Sequence, residues 1–255
     1  MRRHWPEYLI EGWALGMFMI SAGVFATVLD YPGSPVYRAV ADPTLRRVLG
    51  GVAMGLTAVA LIYSPWGQRS GAHMNPAVTL AFLRLGKIQR RDAFAFVLAQ
   101  FAGGTLGVLI VAELLGSAFT SPPVHYAATL PGPAGVAVAF GAEVAISALL
   151  IFTVLLVSNT PRFARYTGIV AGCLVATYIS IEAPFSGMSM NPARSFASAA
   201  PGLIWQDFWI YVTAPVLGML AGAQLFLLVR GASGAACAKL MHPTDQPCIH
   251  CGYEP

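Results

Sequence analysis

The triplet Asn-Pro-Ala occurs twice, as Asn75-Pro76-Ala77 and Asn191-Pro192-Ala193, each after a polar approach containing glycine. The approaches read Ser70-Gly71-Ala72-His73-Met74 and Ser186-Gly187-Met188-Ser189-Met190. Each triplet predicts the start of a helix. Asn is a good N-cap, because its side-chain oxygen accepts a backbone N–H of the first turn. Proline suits the next position, where its missing N–H would be unpaired anyway and its fixed φ is already helical. Both helices are then cut short. The apolar run after Pro76 meets Arg84, and the run after Pro192 stops near Pro201-Gly202. A bilayer crossing needs ~20 apolar residues. Neither helix, over 75–84 or 191–199, can cross by itself.

Six long apolar runs surround these short helices, at about 9–29, 48–64, 93–115, 135–157, 166–182 and 207–229. The chain is 56% hydrophobic and 10% charged, where a soluble domain carries ~25% charged residues. The composition therefore fits a multi-pass membrane protein. Two halves correspond: run one carries Glu11 and run four carries Glu143. Glu11 precedes Asn75 by 64 residues and Glu143 precedes Asn191 by 48, and the excess lies in the loop from Asp30 to Arg47. Three spans per half invert the second half. The short helices then enter from opposite faces and meet at their N-termini. Interrupted segments in matching places of two halves point to a site at mid-membrane.

Charge follows the same topology. With both chain ends in the cytoplasm, eleven of the fifteen Lys and Arg fall inside, Arg2 and Arg3 among them. Arg38, Arg46, Arg47 and Arg194 fall outside, as the positive-inside rule asks. That bias accounts for the net charge of +4, and no nucleic-acid partner is expected. The loop 117–134 has no Lys or Arg and suits the outer side. The first apolar run continues to Leu29, beyond the ~7–15 residues of a signal core, so it reads as a retained span. Glycines four apart recur in five of the runs, for example Gly12 and Gly16, and Gly103 and Gly107, which predicts close helix crossings.

The two triplets, with Ser70-Gly71-Ala72-His73 before the first and Arg194-Ser195 after the second, resemble the aquaporin (major intrinsic protein) family. The resemblance runs from about Glu11 to about Arg230. It implies an all-α membrane fold, a right-handed bundle of six transmembrane helices plus two re-entrant half-helices. The channel domain would be 1–230, with inverted repeats at about 1–116 and 134–230, and 231–255 would be a cytoplasmic tail. Passive flow of water is implied, with small neutral solutes such as glycerol, urea or ammonia, and with ions and protons excluded. A homotetramer in the lipid bilayer is implied, with no enzymatic activity and no cofactor. The short loops suit a bacterial inner membrane.

Residue roles carry over by motif. Asn75 and Asn191 would donate to the passing molecule, while Glu11 and Glu143 would hold the re-entrant loops by accepting backbone hydrogen bonds. His73 would stand at the cytoplasmic vestibule. Arg194, Met188 and Ile179 would line the outer selectivity filter. The fourth filter position falls on Gly55 or Met54, because the stretch Tyr63–Arg69 is one residue longer than the family pattern. Strict water channels carry a His where Ile179 stands and an aromatic at the fourth position, so this filter should be less polar. Against glycerol, Ser195 stands where glycerol facilitators carry Asp. A different class is a proton-coupled secondary transporter using Glu11 or Glu143, since carboxylates inside a membrane are functional candidates.

Cys237, His242, Cys248 and Cys251 fall within fifteen residues of the tail, the last two at CxxC spacing. Thiolate and imidazole sets of this kind hold zinc. A tail facing a reducing cytoplasm would not keep disulfides. The tail reads either as a zinc-held staple at the cytoplasmic mouth or as a loose segment with incidental thiols. Cys173, in run five, reads as a packed small apolar residue.

Overall fold

In the computed structural model, each long apolar run becomes one helix. The structure describes residues 4–231, 234–242 and 247–254, so Arg2 and Arg3 lie outside it. Span 1 is Trp5–Asp30, span 2 Pro43–Tyr63 and span 3 Arg90–Leu115. Span 4 is Val136–Ser158, span 5 Thr167–Ile181 and span 6 Trp209–Arg230. Among the described residues, six helices are long and apolar enough to cross a membrane, the fifth when its 3-10 lead-in from Ala164 is included. The half-helices are Pro76–Arg84 and Pro192–Gly202. No strand occurs among the described residues.

Span 2 starts five residues before the apolar run does, at an Asp-Pro pair. Asp42 caps it, accepting Thr44 N–H at 2.9 Å, and Pro43 takes the first helical position. Both arginines of its first turns reach backbone carbonyls. Arg46 donates to Val40 and Ala41, and Arg47 donates to Ser180 at 3.0 Å. Span 1 likewise starts earlier than the run, with Pro6 in its first turn.

Span 1 packs on span 3, span 4 on span 6, and span 2 on span 5 across the halves. The crossings lie at the paired glycines. A Cβ on Gly103 would sit 1.9 Å from the Gly12 carbonyl oxygen, and one on Gly55 2.5 Å from that of Gly172. Small residues are what let membrane helices approach this closely. Large apolar side chains such as Leu56, Phe94, Leu114 and Leu228 remain exposed on the outside of the bundle. In water such a surface would drive association; in a bilayer it is the lipid-facing coat. Cys173 also lies on the exposed side of span 5, not packed as its apolar context suggested.

The half-helices interlock the halves. The first packs on span 6 and the second on span 3. Each therefore buries its apolar face against the other half. An even number of crossings returns Arg230 to the side where Trp5 begins, called here the tail face.

Candidate functional site

Two buried carboxylates organise the loops that lead into the half-helices. Glu11 Oε1 accepts from Ser70 Oγ at 2.7 Å and from His73 N–H at 3.0 Å. Its Oε2 accepts from Met74 N–H at 2.7 Å and from Gln100 Nε2 at 2.9 Å. Glu143 repeats the pattern with Ser186 Oγ at 2.8 Å, Ser189 N–H at 2.7 Å and Met190 N–H at 2.7 Å. Converging N–H groups require left-handed backbone. Gly71, Ala72 and Met74 have φ of 110°, 55° and 49°, and Gly187, Met188 and Met190 have 81°, 53° and 54°. Non-glycine residues there cost ~1–3 kcal/mol each. Hydrogen bonds to a charged group return ~1.5–3 kcal/mol each, so the carboxylates offset the strain they impose.

Each Asn caps its half-helix and ties the halves together. Asn75 Oδ1 accepts Ala77 N–H at 2.8 Å, and Asn191 Oδ1 accepts Ala193 and Arg194 N–H at 3.1 and 3.2 Å. Asn75 Nδ2 donates to the Met190 carbonyl and Asn191 Nδ2 to the Met74 carbonyl, both at 2.7 Å. An amide NH2 has two protons, so each Asn keeps one beyond this cross-link. Pro76, Ala77, Pro192 and Ala193 are buried, and form the first turns behind the caps. The two helix N-termini thus face one another, each with its partial positive charge.

A cavity of about 460 Å³ runs beside this junction. Its lining runs from Asp30, Arg46 and Arg47 at the far face, past Met54, Ile179, Met188 and Arg194, to Asn75 and Asn191. It continues past His73 and Val154 to Leu240 at the tail face. Met54 lines it and Gly55 does not; Gly55 is spent on the crossing with span 5. Neither Glu11 nor Glu143 lines it. Arg194 donates through Nη1 to Thr129, whose hydroxyl also accepts from Ser195 at 3.2 Å. His73 is buried, with Nε2 2.6 Å from the Ala238 carbonyl and Nδ1 3.1 Å from the Thr79 hydroxyl. A carbonyl only accepts, so Nε2 carries the proton.

The family model of the major intrinsic proteins matches residues 4–226. The chain belongs to the major intrinsic protein family. Relatives include aquaporin NIP1-4 of Oryza sativa subsp. japonica, 32% identical over 88% of this chain and 77% of its own length. Aquaporin NIP1-1 of Zea mays is 36% identical over 83% of this chain and 74% of its own. Among solved structures, the aquaglyceroporin from Plasmodium falciparum superposes with a TM-score of 0.72 at 21% identity. It covers 88% of this chain and 95% of its own, and at that identity the likeness establishes the shared fold. The protein is thus a multi-pass membrane protein of a family of channels for water and small solutes, not an enzyme. The relatives named from curated proteins are plant sequences and lend no support to a bacterial inner membrane.

Three side chains at the site escaped sequence reading. Gln100 donates to Glu11 and, at 3.2 Å, to Thr79; a lone amide inside an apolar span was its visible signal. Thr129, the partner of Arg194, lies in a Pro- and Ala-rich loop without periodicity. Leu240 comes from the tail, where composition says nothing about docking.

The tail also gathers its Cys and His residues. Cys237 Sγ lies 3.5 Å from Cys248 Sγ, and His242 Nε2 3.2 Å from Cys251 Sγ. All four ligand atoms lie within 4.8 Å of one another. The thiol contact separates the two acidities, raising Cys237 and lowering Cys248.

Proposed function

We propose that the protein is a passive pore for water and for small neutral solutes of the glycerol, urea or ammonia kind, and that it excludes ions and protons. The observation that carries this is the facing pair Asn75 and Asn191. Each holds one amide proton on the opposite loop and keeps one for a passing acceptor. Facing helix N-termini favour hydrogen-bond acceptors and repel cations, a known device of selective pores. A water file that must accept from both Asn groups loses its continuous donor order there, so protons cannot hop through.

Met54, Ile179, Met188 and Arg194 form the constriction in this reading. One guanidinium among three apolar side chains makes it less polar than a strict water filter, and flexible Met side chains adjust to a larger solute. Thr129 fixes the guanidinium. Glu11 and Glu143 act as loop anchors. The proton-coupled alternative is not favoured, because both carboxylates are occupied by loop donors and stand away from the cavity. The channel domain is 1–230 in two inverted repeats, with the tail face cytoplasmic, as the Lys and Arg distribution supports. The exposed apolar coat accommodates lipid and neighbouring subunits of a homotetramer. Conduction itself needs no cofactor. The tail cluster fits a zinc-class ion, which belongs to regulation and not to the pore.

Stopped-flow light scattering on proteoliposomes tests the reading. Shrinkage in sucrose should far exceed that of empty liposomes, with re-swelling in glycerol or urea. Fast shrinkage without re-swelling would restrict the pore to water. Flux driven by a pH gradient at fixed osmolarity would instead revive the coupled transporter.

A further inference from the structure

The tail lies across the mouth that His73 guards. Asn159 Oδ1 accepts Ala236 N–H at 2.7 Å, and His73 Nε2 donates to the Ala238 carbonyl. Leu240 N–H donates to the Gly71 carbonyl at 3.2 Å. His250 Nε2 donates to the Ser70 carbonyl at 2.9 Å, and its ring stacks on His73 with centroids 6.0 Å apart. Ala235, Ala238 and Leu240 are buried in the main core, and the Leu240 side chain lines the cavity. An apolar side chain in a narrow aqueous path closes it by dewetting.

The Cys and His residues bracket these contacts. Cys237 stands just before Ala238, His242 follows Leu240 by two residues, and Cys248 and Cys251 flank His250. A tetrahedral zinc with bonds of ~2.3 Å to sulfur and ~2.0 Å to nitrogen places three sulfurs and one nitrogen about 3.5–3.8 Å apart. The observed 3.5 and 3.2 Å, within an overall 4.8 Å, are close to that spacing. One ion would therefore fix every contact of the tail at once. Lys239 adds a charge argument. It is buried, and its ammonium has no hydrogen-bond partner among the described residues. A buried cation needs a counter-charge. Three thiolates and one imidazole around a divalent ion carry a net negative charge and supply it.

We propose that the tail, through residues 235–242 and 247–251, is a plug in the tail-face mouth, locked by a zinc-class divalent ion on Cys237, His242, Cys248 and Cys251 and released when the ion is removed. This rests on the channel reading above.

The test uses the full chain in proteoliposomes, either chelator-washed or reloaded with zinc, with metal content measured by mass spectrometry. Reloaded protein should hold about one zinc per chain, as a four-ligand site requires. It should shrink in sucrose about tenfold more slowly than the washed protein, a closure of ~1.4 kcal/mol. Leu240→Ala should still bind zinc yet conduct fast in both states. Cys248→Ser/Cys251→Ser should conduct fast and bind none; if that variant does not fold, the washed and reloaded wild type still decide. No stoichiometric zinc, or equal rates with and without it, overturns the plug. So does a zinc-free protein whose mass shows two hydrogens lost to a Cys237–Cys248 disulfide. If folded protein and both variants never exceed empty liposomes, the channel reading fails and the plug falls with it, whatever the zinc count.

Discussion

On each re-entrant loop a left-handed glycine lies under the carbonyl of a covering segment. A Cβ on Gly187 would meet the Leu130 oxygen at 2.9 Å, and one on Gly71 would meet the Ala238 oxygen at 3.1 Å. The covers differ. At the far face, Gly132 N–H donates to the Phe185 carbonyl at 2.9 Å, and Thr129 accepts from Arg194 and Ser195. That cover runs between spans 3 and 4 and is tied to Arg194, which lines the cavity. At the tail face, the cover brings Leu240 to the cavity lining and gathers four metal-type side chains within 4.8 Å of one another. Equivalent anchors thus lie under a collar tied to Arg194 on one side and, in the plug proposed above, under a removable stopper on the other.

The anchors themselves are not equal. Glu11 has four donors and Glu143 three. The glycine crossings set Gly103 against Gly12 and Gly218 against Val144, which registers Gln100 of span 3 with Pro215 of span 6. Proline has no donor to offer. Replacing either Glu by Gln should therefore produce the largest effects, and different ones. In Glu143→Gln a backbone donor loses its charged acceptor at ~1.5–3 kcal/mol, and the new amide N–H is buried unpaired at ~1–3 kcal/mol. In Glu11→Gln the Gln100 amide can turn its oxygen, unpartnered among the described residues, toward that N–H. We expect Glu143→Gln to lower the unfolding temperature in detergent by ~10 °C or more, at ~2–4 °C per kcal/mol, and Glu11→Gln clearly less. Equal losses would mean that Gln100 compensates nothing.

The sequence made the bundle legible because its signals are local. Asn-Pro marks each half-helix start, Arg84 and Pro201 mark the ends, and the apolar runs are long enough to need no tertiary help. The anchor positions were legible as carboxylates in matching runs. The choice between Gly55 and Met54 was not, because neighbouring helical positions point about 100° apart and one extra residue in 63–69 turns one into the other. Thr129 and Leu240 reach the site through contacts with Arg194 and Gly71, 65 and 169 residues away in sequence, in segments without periodicity. Cys173 read as core because an apolar span looks the same on its lipid side.

A smaller effect should follow at the position that distinguishes the half-helices. Three residues after each Asn stands Val78 in one and Arg194 in the other, and both line the cavity. Arg194→Val gives both halves the same apolar residue there and frees Thr129 of its guanidinium. Re-swelling in glycerol and urea should rise about tenfold, ~1.4 kcal/mol off the barrier, and a pH dye inside the vesicles should report a proton leak. Unchanged solute flux would place the limiting constriction at Met54, Ile179 and Met188.

The smallest difference lies in the caps. Asn191 shares its oxygen between two N–H groups at 3.1 and 3.2 Å, while Asn75 gives its own to one at 2.8 Å. Both amides make the same 2.7 Å bond to the opposite loop, so that part cancels between Asn191→Ala and Asn75→Ala. Loss of an N-cap costs ~1 kcal/mol. Two orphaned N–H groups against one should make Asn191→Ala the worse of the pair by a few tenths of a kcal/mol, about one degree in unfolding temperature. The reverse order would mean that one short, well-aimed cap is worth more than a shared one. The tighter half-helix would then be the one beneath the tail.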